Sequence, residues 1–183
     1  LVIVIGASPS GTIGYDDFIA KGSEVAAPLD AHQDETAFWL YSSGSTGQPK
    51  GVHHVHSALR ATADTYGAHV LGIEAGDVVF SAAKFFFAYG LGNSMTFPMS
   101  AGATSVIYAG RPTPDDVARI IAQEQPTVFC GVPTLYAALV AHMQAQGAPD
   151  APLRVCISAG EALPESVGHK WRALMGADIL DGV

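Results

Sequence analysis

Apolar positions along the chain fall into two patterns, short unbroken runs and helically spaced stripes. Residues 1–5, Leu-Val-Ile-Val-Ile, are a continuous β-branched run and read as a strand buried on both faces. Further strands are expected at 37–41, 78–81, 104–108, 127–130, 153–157 and 178–181. A short helix at 15–21 is expected to turn Phe18 and Ile19 inward, and 51–56 reads as short and extended. Ser57 is placed to cap a helix ending near residue 71, with Leu59, Ala63, Tyr66 and Val70 on one stripe and Gly72 as its stop. A clearer helix opens with Thr113 as cap, Pro114 at the first helical position and Asp115 and Asp116 in the first turn. Its stripe is Val117, Ile120 and Ile121. The next helix spans 133–146 with Leu135, Tyr136, Leu139, Val140 and Met143 inward, and a third opens at Pro164 with Val167, Trp171 and Leu174. Strand, helix, strand at this spacing is the βαβ signal, so the expected fold class is α/β with a mostly parallel sheet.

Composition narrows the class. The chain has 183 residues, 49% of them hydrophobic, enough for one domain with a sizeable core. It opens without methionine and ends Ile-Leu-Asp-Gly-Val, so it reads as an internal fragment of a longer chain. Net charge is −8 with nine Lys plus Arg, and the basic stripe that nucleic-acid binding needs is missing. Cys130 and Cys156 sit in apolar runs without metal-type spacing and read as free core thiols in a reducing compartment. No apolar run has the length of a membrane span, and residues 1–5 lack the basic flank of a signal peptide. The expected partners are therefore small molecules, without nucleic acid or membrane, and the expected location is the cytoplasm.

Three strand ends carry the candidate chemistry, and in open α/β sheets strand ends are where ligands bind. The first is Tyr41-Ser-Ser-Gly-Ser-Thr-Gly-Gln-Pro-Lys-Gly51. Hydroxyls, glycines and one ammonium suit a polyphosphate, because glycines let backbone N–H groups converge and lysine adds a point charge. Pro49 before Lys50 and Gly51 after it exclude the Walker A pattern. Proline also biases Gln48 away from helical geometry, so the phosphates would be wrapped by a flap and not seated on a helix end. The second is Lys84-Phe-Phe-Phe-Ala-Tyr-Gly-Leu-Gly-Asn93, an aromatic wall followed by glycines. The third, Ser158-Ala-Gly-Glu-Ala-Leu-Pro164, has small residues on which a flat ring can lie. His53, His54 and His56 match no zinc spacing and read better as local hydrogen-bonding groups.

Taken together, residues 41–51 resemble the phosphate-loop signature of the adenylate-forming (acyl/aryl-CoA synthetase) superfamily, and the two later loops follow in the expected order. Residues 84–93 and 158–164 look most like those of benzoate–CoA ligases and their 4-hydroxybenzoate relatives. The resemblance covers essentially the whole chain and implies a partial AMP-binding (adenylation) domain over 1–183, part of a larger N-terminal domain, with the C-terminal lid absent. The implied reaction joins benzoate or a close analogue to AMP using Mg-ATP, releases pyrophosphate, and then forms the aryl-CoA with coenzyme A. By the same resemblance, Ser43, Gly44, Ser45, Thr46 and Gly47 hold the β- and γ-phosphates. Lys50 is an accessory charge, and Thr46 also helps to position Mg2+. Phe87 stands at the site entrance, Ala88 and Tyr89 line the aryl pocket and Ala159 borders the acyl group. Gly160, Glu161 and Ala162 lie along the adenine, and Asp181 and Gly182 lead toward the next nucleotide motif. Ser45 stands where many relatives carry threonine, which keeps the hydroxyl. Two other readings stay open at this point: an adenylation domain loading a carrier protein, and a non-catalytic nucleotide-binding module.

Overall fold

The computed structural model describes residues 1–23, 27–42 and 47–182, which form two compact units, Leu1–His32 and Gln33–Val183. In the first unit β1 (Ile3–Val4) pairs in parallel with β2 (Ile13–Gly14), and α1 (Tyr15–Ile19) follows directly. The expected burial of residues 1–5 does not hold: Leu1 is 90% and Ile5 84% exposed. Phe18 and Ile19 are exposed as well, and α1 buries no residue. Two-residue strands and a five-residue helix supply no second layer to cover an apolar run, so hydrophobic content alone does not make a core here.

The second unit opens with an antiparallel hairpin, β3 (Thr36–Ser42) and β4 (Lys50–Val55), closed by the pair Ser42 and Lys50. Gly51 lies opposite Tyr41, and a Cβ there would stand 3.0 Å from the Trp39 ring. The helix after it, α2 (His56–Thr62), begins two residues earlier than expected and uses no side-chain cap. Its first amides are met by backbone instead: His56 N–H donates to Glu35 O at 3.2 Å and Ser57 N–H to Gln33 O at 3.0 Å. Ser57 is therefore not the cap, because the chain entering β3 already satisfies the orphan donors. From Ala63 to Val70 the backbone winds as a π-helix. The wider turn slips the 3.6-residue stripe, so Ala63 and Gly67 are buried while the expected inward Val70 is exposed. Leu71 takes the buried place, and Gly72, with φ +57°, makes the predicted stop.

The remainder is a five-stranded sheet with helices on both faces. In chain order come β5 (Val78–Ser81), α3 (Ala88–Leu91), a π-helical stretch (Gly92–Thr96), α4 (Phe97–Ala101) and β6 (Thr104–Val106). Then follow α5 (Pro114–Glu124), β7 (Val128–Gly131), α6 (Pro133–Gln146), β8 (Val155–Ser158), α7 (Glu165–Met175) and β9 (Ile179–Asp181). Spatial order is β6-β5-β7-β8-β9, every pair parallel, as the βαβ rhythm predicts. Thr113 caps α5 by accepting from Asp116 N–H at 3.2 Å, and Val117, Ile120 and Ile121 are buried, as expected. The predicted stripes of α6 and α7 also face the core, with Tyr136, Leu139 and Trp171 fully buried.

Strand pleating sends alternate residues to opposite faces, which divides the core in two. Phe80, Phe129 and Cys156 pack with α5, α6 and α7, where Trp171 meets Tyr136 edge to face at 4.8 Å between ring centres. Val79, Val128, Cys130 and Ile157 pack on the other face with Ala63, Leu71, Ile73 and Phe97. Both thiols are free and buried, one on each face, and burial pushes the Cys156 thiol up to about 12.

At the amino edge of the sheet, Asp77 is buried and binds Arg154 through both carboxylate oxygens. Thr127 Oγ1 donates to Asp77 Oδ1 at 2.6 Å, Glu74 N–H donates to Asp77 Oδ2 at 2.8 Å, and Arg154 also reaches Gly72 O at 2.7 Å. This joins the residues that lead into β5, β7 and β8. The Arg154 guanidinium is the chief cause that holds the Asp77 carboxyl down at about 2. A carboxylate lowered in the folded state stabilises above its unfolded value, and that stability is lost as pH falls through the folded value. Asp77→Asn is expected to cost about 2 kcal/mol at neutral pH. Urea denaturation of both proteins should show that gap narrowing as pH falls from about 5 to about 3; a gap constant with pH sinks the ionic assignment.

Candidate active site

The connections from β5 and β7 leave the sheet on opposite faces. After β5 the chain passes through α3 and α4, and Phe97 of α4 packs against the face that carries Val79. After β7 it passes through α6, which packs on the face that carries Phe129. Neighbouring parallel strands whose connections diverge leave a crevice at their carboxyl ends. A cavity of about 630 Å³ opens there, within the size range of small-molecule sites. The loop after β5 supplies Ala82, Ala83, Lys84 and Phe87, α3 supplies Tyr89, and Gly131 at the end of β7 and Val132 just after it also line the cavity. The loop after β8 supplies Ala159 and Gly160. Pro112 and Pro114 before and in α5, and Thr134, Leu135 and Ala138 of α6, complete the lining. Apolar side chains predominate, so the cavity favours an uncharged, ring-like or aliphatic group.

Tyr89 is held on two strands at once. Its hydroxyl donates toward Gly131 O at 3.1 Å and Ile157 O at 3.0 Å, while its ring lines the cavity. Burial pushes the phenol well above its ordinary range, so it stays neutral and acts as a fixed wall and not as an acid. Asn93 Nδ2 donates to Tyr89 O at 2.9 Å, and this brings the following π-helical turn beneath the tyrosine. Close packing also requires Gly90: a Cβ there would lie 2.1 Å from Lys84 O. Phe86 and Phe87 meet in a tilted contact at 4.4 Å between ring centres, and of this pair Phe87 reaches the cavity. Phe85 and Phe86 are exposed and belong to neither core cluster. Ala88 is exposed and lies outside the lining.

The turn after β8 is braced by its neighbours. Gly182 N–H donates to Ser158 O at 2.7 Å, and Leu163 N–H donates to Asp181 Oδ2 at 3.2 Å. Gly160 has φ +96° and nothing within 4 Å of where a Cβ would stand, so a bare peptide plane borders the cavity between Ala159 and Glu161. That surface fits a flat heterocycle. Glu161 and Ala162 are exposed on the same turn. Ser158 Oγ, at the end of β8, is buried and has no hydrogen-bond partner among the described residues.

Among the predicted site residues, the structure thus gathers Phe87, Tyr89, Ala159 and Gly160 around one cavity, with Asp181 and Gly182 behind the turn. Ser43, Gly44, Ser45 and Thr46 lie outside the described residues. Gly47, with φ +74°, and Lys50, at the start of β4, are exposed on the hairpin and are not part of the cavity lining. His53 and His54 lie across the hairpin from Trp39 and Phe38 and pack on them at 3.6 and 5.0 Å between ring centres. Among the described residues no three of His, Cys, Asp and Glu converge as metal ligands. Sequence reasoning passed over Lys84, Pro112, Pro114 and the first turns of α6. In the sequence Pro114 marks a helix start and Leu135 a core stripe, and neither pattern points to a cavity.

The chain is similar to enzymes that act on aromatic acids. It is 51% identical over 180 residues to a benzoate–CoA ligase of Thauera aromatica, covering 98% of this chain and 34% of that protein. It is 49% identical over 184 residues to a 4-hydroxybenzoate–CoA/benzoate–CoA ligase of Rhodopseudomonas palustris, covering 100% and 34%. Among solved structures, a benzoate CoA ligase from Burkholderia xenovorans LB400 matches with TM-score 0.81 and 44% identity, over 93% of this chain and 34% of the other. The anthranilate CoA ligase AuaEII, solved with anthranoyl-AMP, matches with TM-score 0.86 and 34% identity, over 99% and 36%. The chain spans about a third of the length of these relatives. Residues 6–182 match the model of the AMP-binding enzyme family, and the chain belongs to that family.

Proposed function

We propose that this chain is the aryl- and adenine-binding part of an aryl-CoA ligase that activates benzoate or a close analogue. The carboxylate attacks the α-phosphorus of ATP to give aryl-AMP and pyrophosphate, and the thiol of coenzyme A then displaces AMP. The carrying observation is the apolar cavity at the diverging ends of β5 and β7, walled by Phe87 and Tyr89 and bordered by Ala159 and Gly160. In that reading the aryl ring lies against Tyr89, with Phe87 toward the entrance and Ala159 beside the acyl carbon, while Ala88, expected in the pocket wall, is exposed outside the lining. Adenine lies on the turn formed by Gly160, Glu161 and Ala162, which Asp181 and Gly182 brace.

Adenylyl transfer needs positioning and charge stabilisation more than covalent chemistry from the protein. Ser43, Gly44, Ser45, Thr46 and Gly47 would grip the β- and γ-phosphates, the leaving group of the first step, with Lys50 adding charge. Magnesium would neutralise phosphate charge, with Thr46 as a contact from this chain. The chain would be residues 1–183 of a partial adenylation domain, with the lid carried elsewhere in the full-length protein. The location proposed is the cytoplasm; no helix among the described residues is long and apolar enough to cross a membrane.

A pyrophosphate-release screen of the full-length protein should rank benzoate and hydroxybenzoates above alkyl acids. Faster turnover of alkyl acids overturns the aryl assignment. Thr46→Ala with Lys50→Ala should lower kcat for pyrophosphate release by about 100-fold while KM for the aryl acid moves by less than about threefold. Unchanged release removes both residues from the phosphate grip. Tyr89→Phe keeps the ring and should retain the substrate ranking, at a stability cost of about 1 kcal/mol for its lost hydrogen bonds. Tyr89→Ala should reorder benzoate against ring-substituted benzoates, and an identical order takes Tyr89 out of the pocket.

A further inference from the structure

The two walls of the cavity come from different connections, and one side chain ties them together. Lys84 lies in the loop after β5, and its Nζ donates to Tyr108 O at 2.6 Å and Gly110 O at 2.5 Å. The same ammonium stands 5.4 Å from the centre of the Tyr108 ring. Among the described residues no carboxylate lies within ion-pair distance of it. Lysine gives up several rotatable bonds to hold such a geometry, and charge-assisted hydrogen bonds to carbonyls are the return. The segment it holds, 107–113, joins β6 to α5 and carries Pro112 to the cavity, with Pro114 directly behind.

The other end of this tie is fixed. Phe87 N–H donates to Lys84 O at 3.1 Å, and the same carbonyl packs against Gly90 so closely that no Cβ fits between them. Lys84 therefore has a locked backbone on the side of Phe87 and Tyr89 and a doubly bonded head on the side of Pro112 and Pro114. Beyond the β5–β6 pairing, this side chain links the aromatic wall to the segment that carries the proline wall.

We propose that Lys84 is a positioning residue that fixes the width of the acyl cavity, and so determines which ring-substituted acids the enzyme accepts. This rests on the aryl-acid reading above. Removing the ammonium frees the proline wall to move outward, which loosens the grip on an unsubstituted ring and relieves the clash with a larger one.

The test uses Lys84→Met and Lys84→Arg in the full-length protein, with pyrophosphate release from benzoate and from 4-substituted benzoates of increasing size, and backbone hydrogen exchange over 107–113. In Lys84→Met the ratio of kcat/KM between benzoate and the largest acid is expected to fall by about tenfold, chiefly through KM for the acid, while KM for ATP holds within about twofold. Exchange over 107–113 is expected to rise with no rise in β7 or β8. Lys84→Arg, which keeps a cation able to donate to both carbonyls, restores the ratio. General destabilisation lowers all rates together and leaves the ratio where it was. An unchanged ratio, or unchanged exchange over 107–113, overturns the proposal. A wild-type protein that turns over no aryl acid defeats the functional reading and the selectivity claim with it; exchange over 107–113 then decides the tie by itself.

Discussion

The carbonyl oxygen of Ile157 organises the carboxyl edge of the sheet. It accepts from Tyr136 at 2.9 Å and from Tyr89 at 3.0 Å, and these tyrosines belong to the two opposite faces of the core. Each hydroxyl also reaches a neighbouring carbonyl on β7, Phe129 for Tyr136 and Gly131 for Tyr89. One buried oxygen thus couples the α6 layer, the aromatic wall of the cavity and the strand from which the Ala159–Gly160 turn departs. Buried hydroxyls without partners are costly, so both rings are confined to the orientations that keep these bonds.

Similar ties recur around the whole cavity. Around the cavity the connecting segments are tied to the sheet: Ser81 Oγ accepts from Ala83 N–H, Tyr89 bridges β7 and β8, and Ser158 O accepts from Gly182 N–H. At the far edge, Asp77, Thr127 and Arg154 hold the beginnings of the same strands. Stability is concentrated at the ends of the strands as well as between the layers.

Much of the second half was legible from sequence, because its helices carry their own punctuation. Thr113, Pro114 and the two aspartates mark a start that the structure reproduces, and Gly147 and Gly176 mark the ends of α6 and α7. In the first half an apolar run does not translate into burial. Residues 1–5 meet the composition of a buried strand, yet nothing in a run of five states what covers it. Val70 failed for a different reason, since a π-helical stretch changes the period on which the stripe was drawn. At the site, Tyr89 was legible from the glycines that follow it, but Lys84 was not. Its partners are backbone carbonyls 24 and 26 positions away, and a carbonyl leaves no trace in the identity of a residue. The divergence of connections at β5 and β7 was equally silent, because it depends on the order of strands in space.

Gly90 has a consequence for anyone who would redesign this chain. Because Lys84 O occupies the place of its Cβ, position 90 is closed to every other residue. The aromatic wall cannot be moved from behind. Positions 134 and 135, with 138 one turn further along α6, face the same cavity. Freedom to reshape the cavity therefore lies on α6 and not on the aromatic wall.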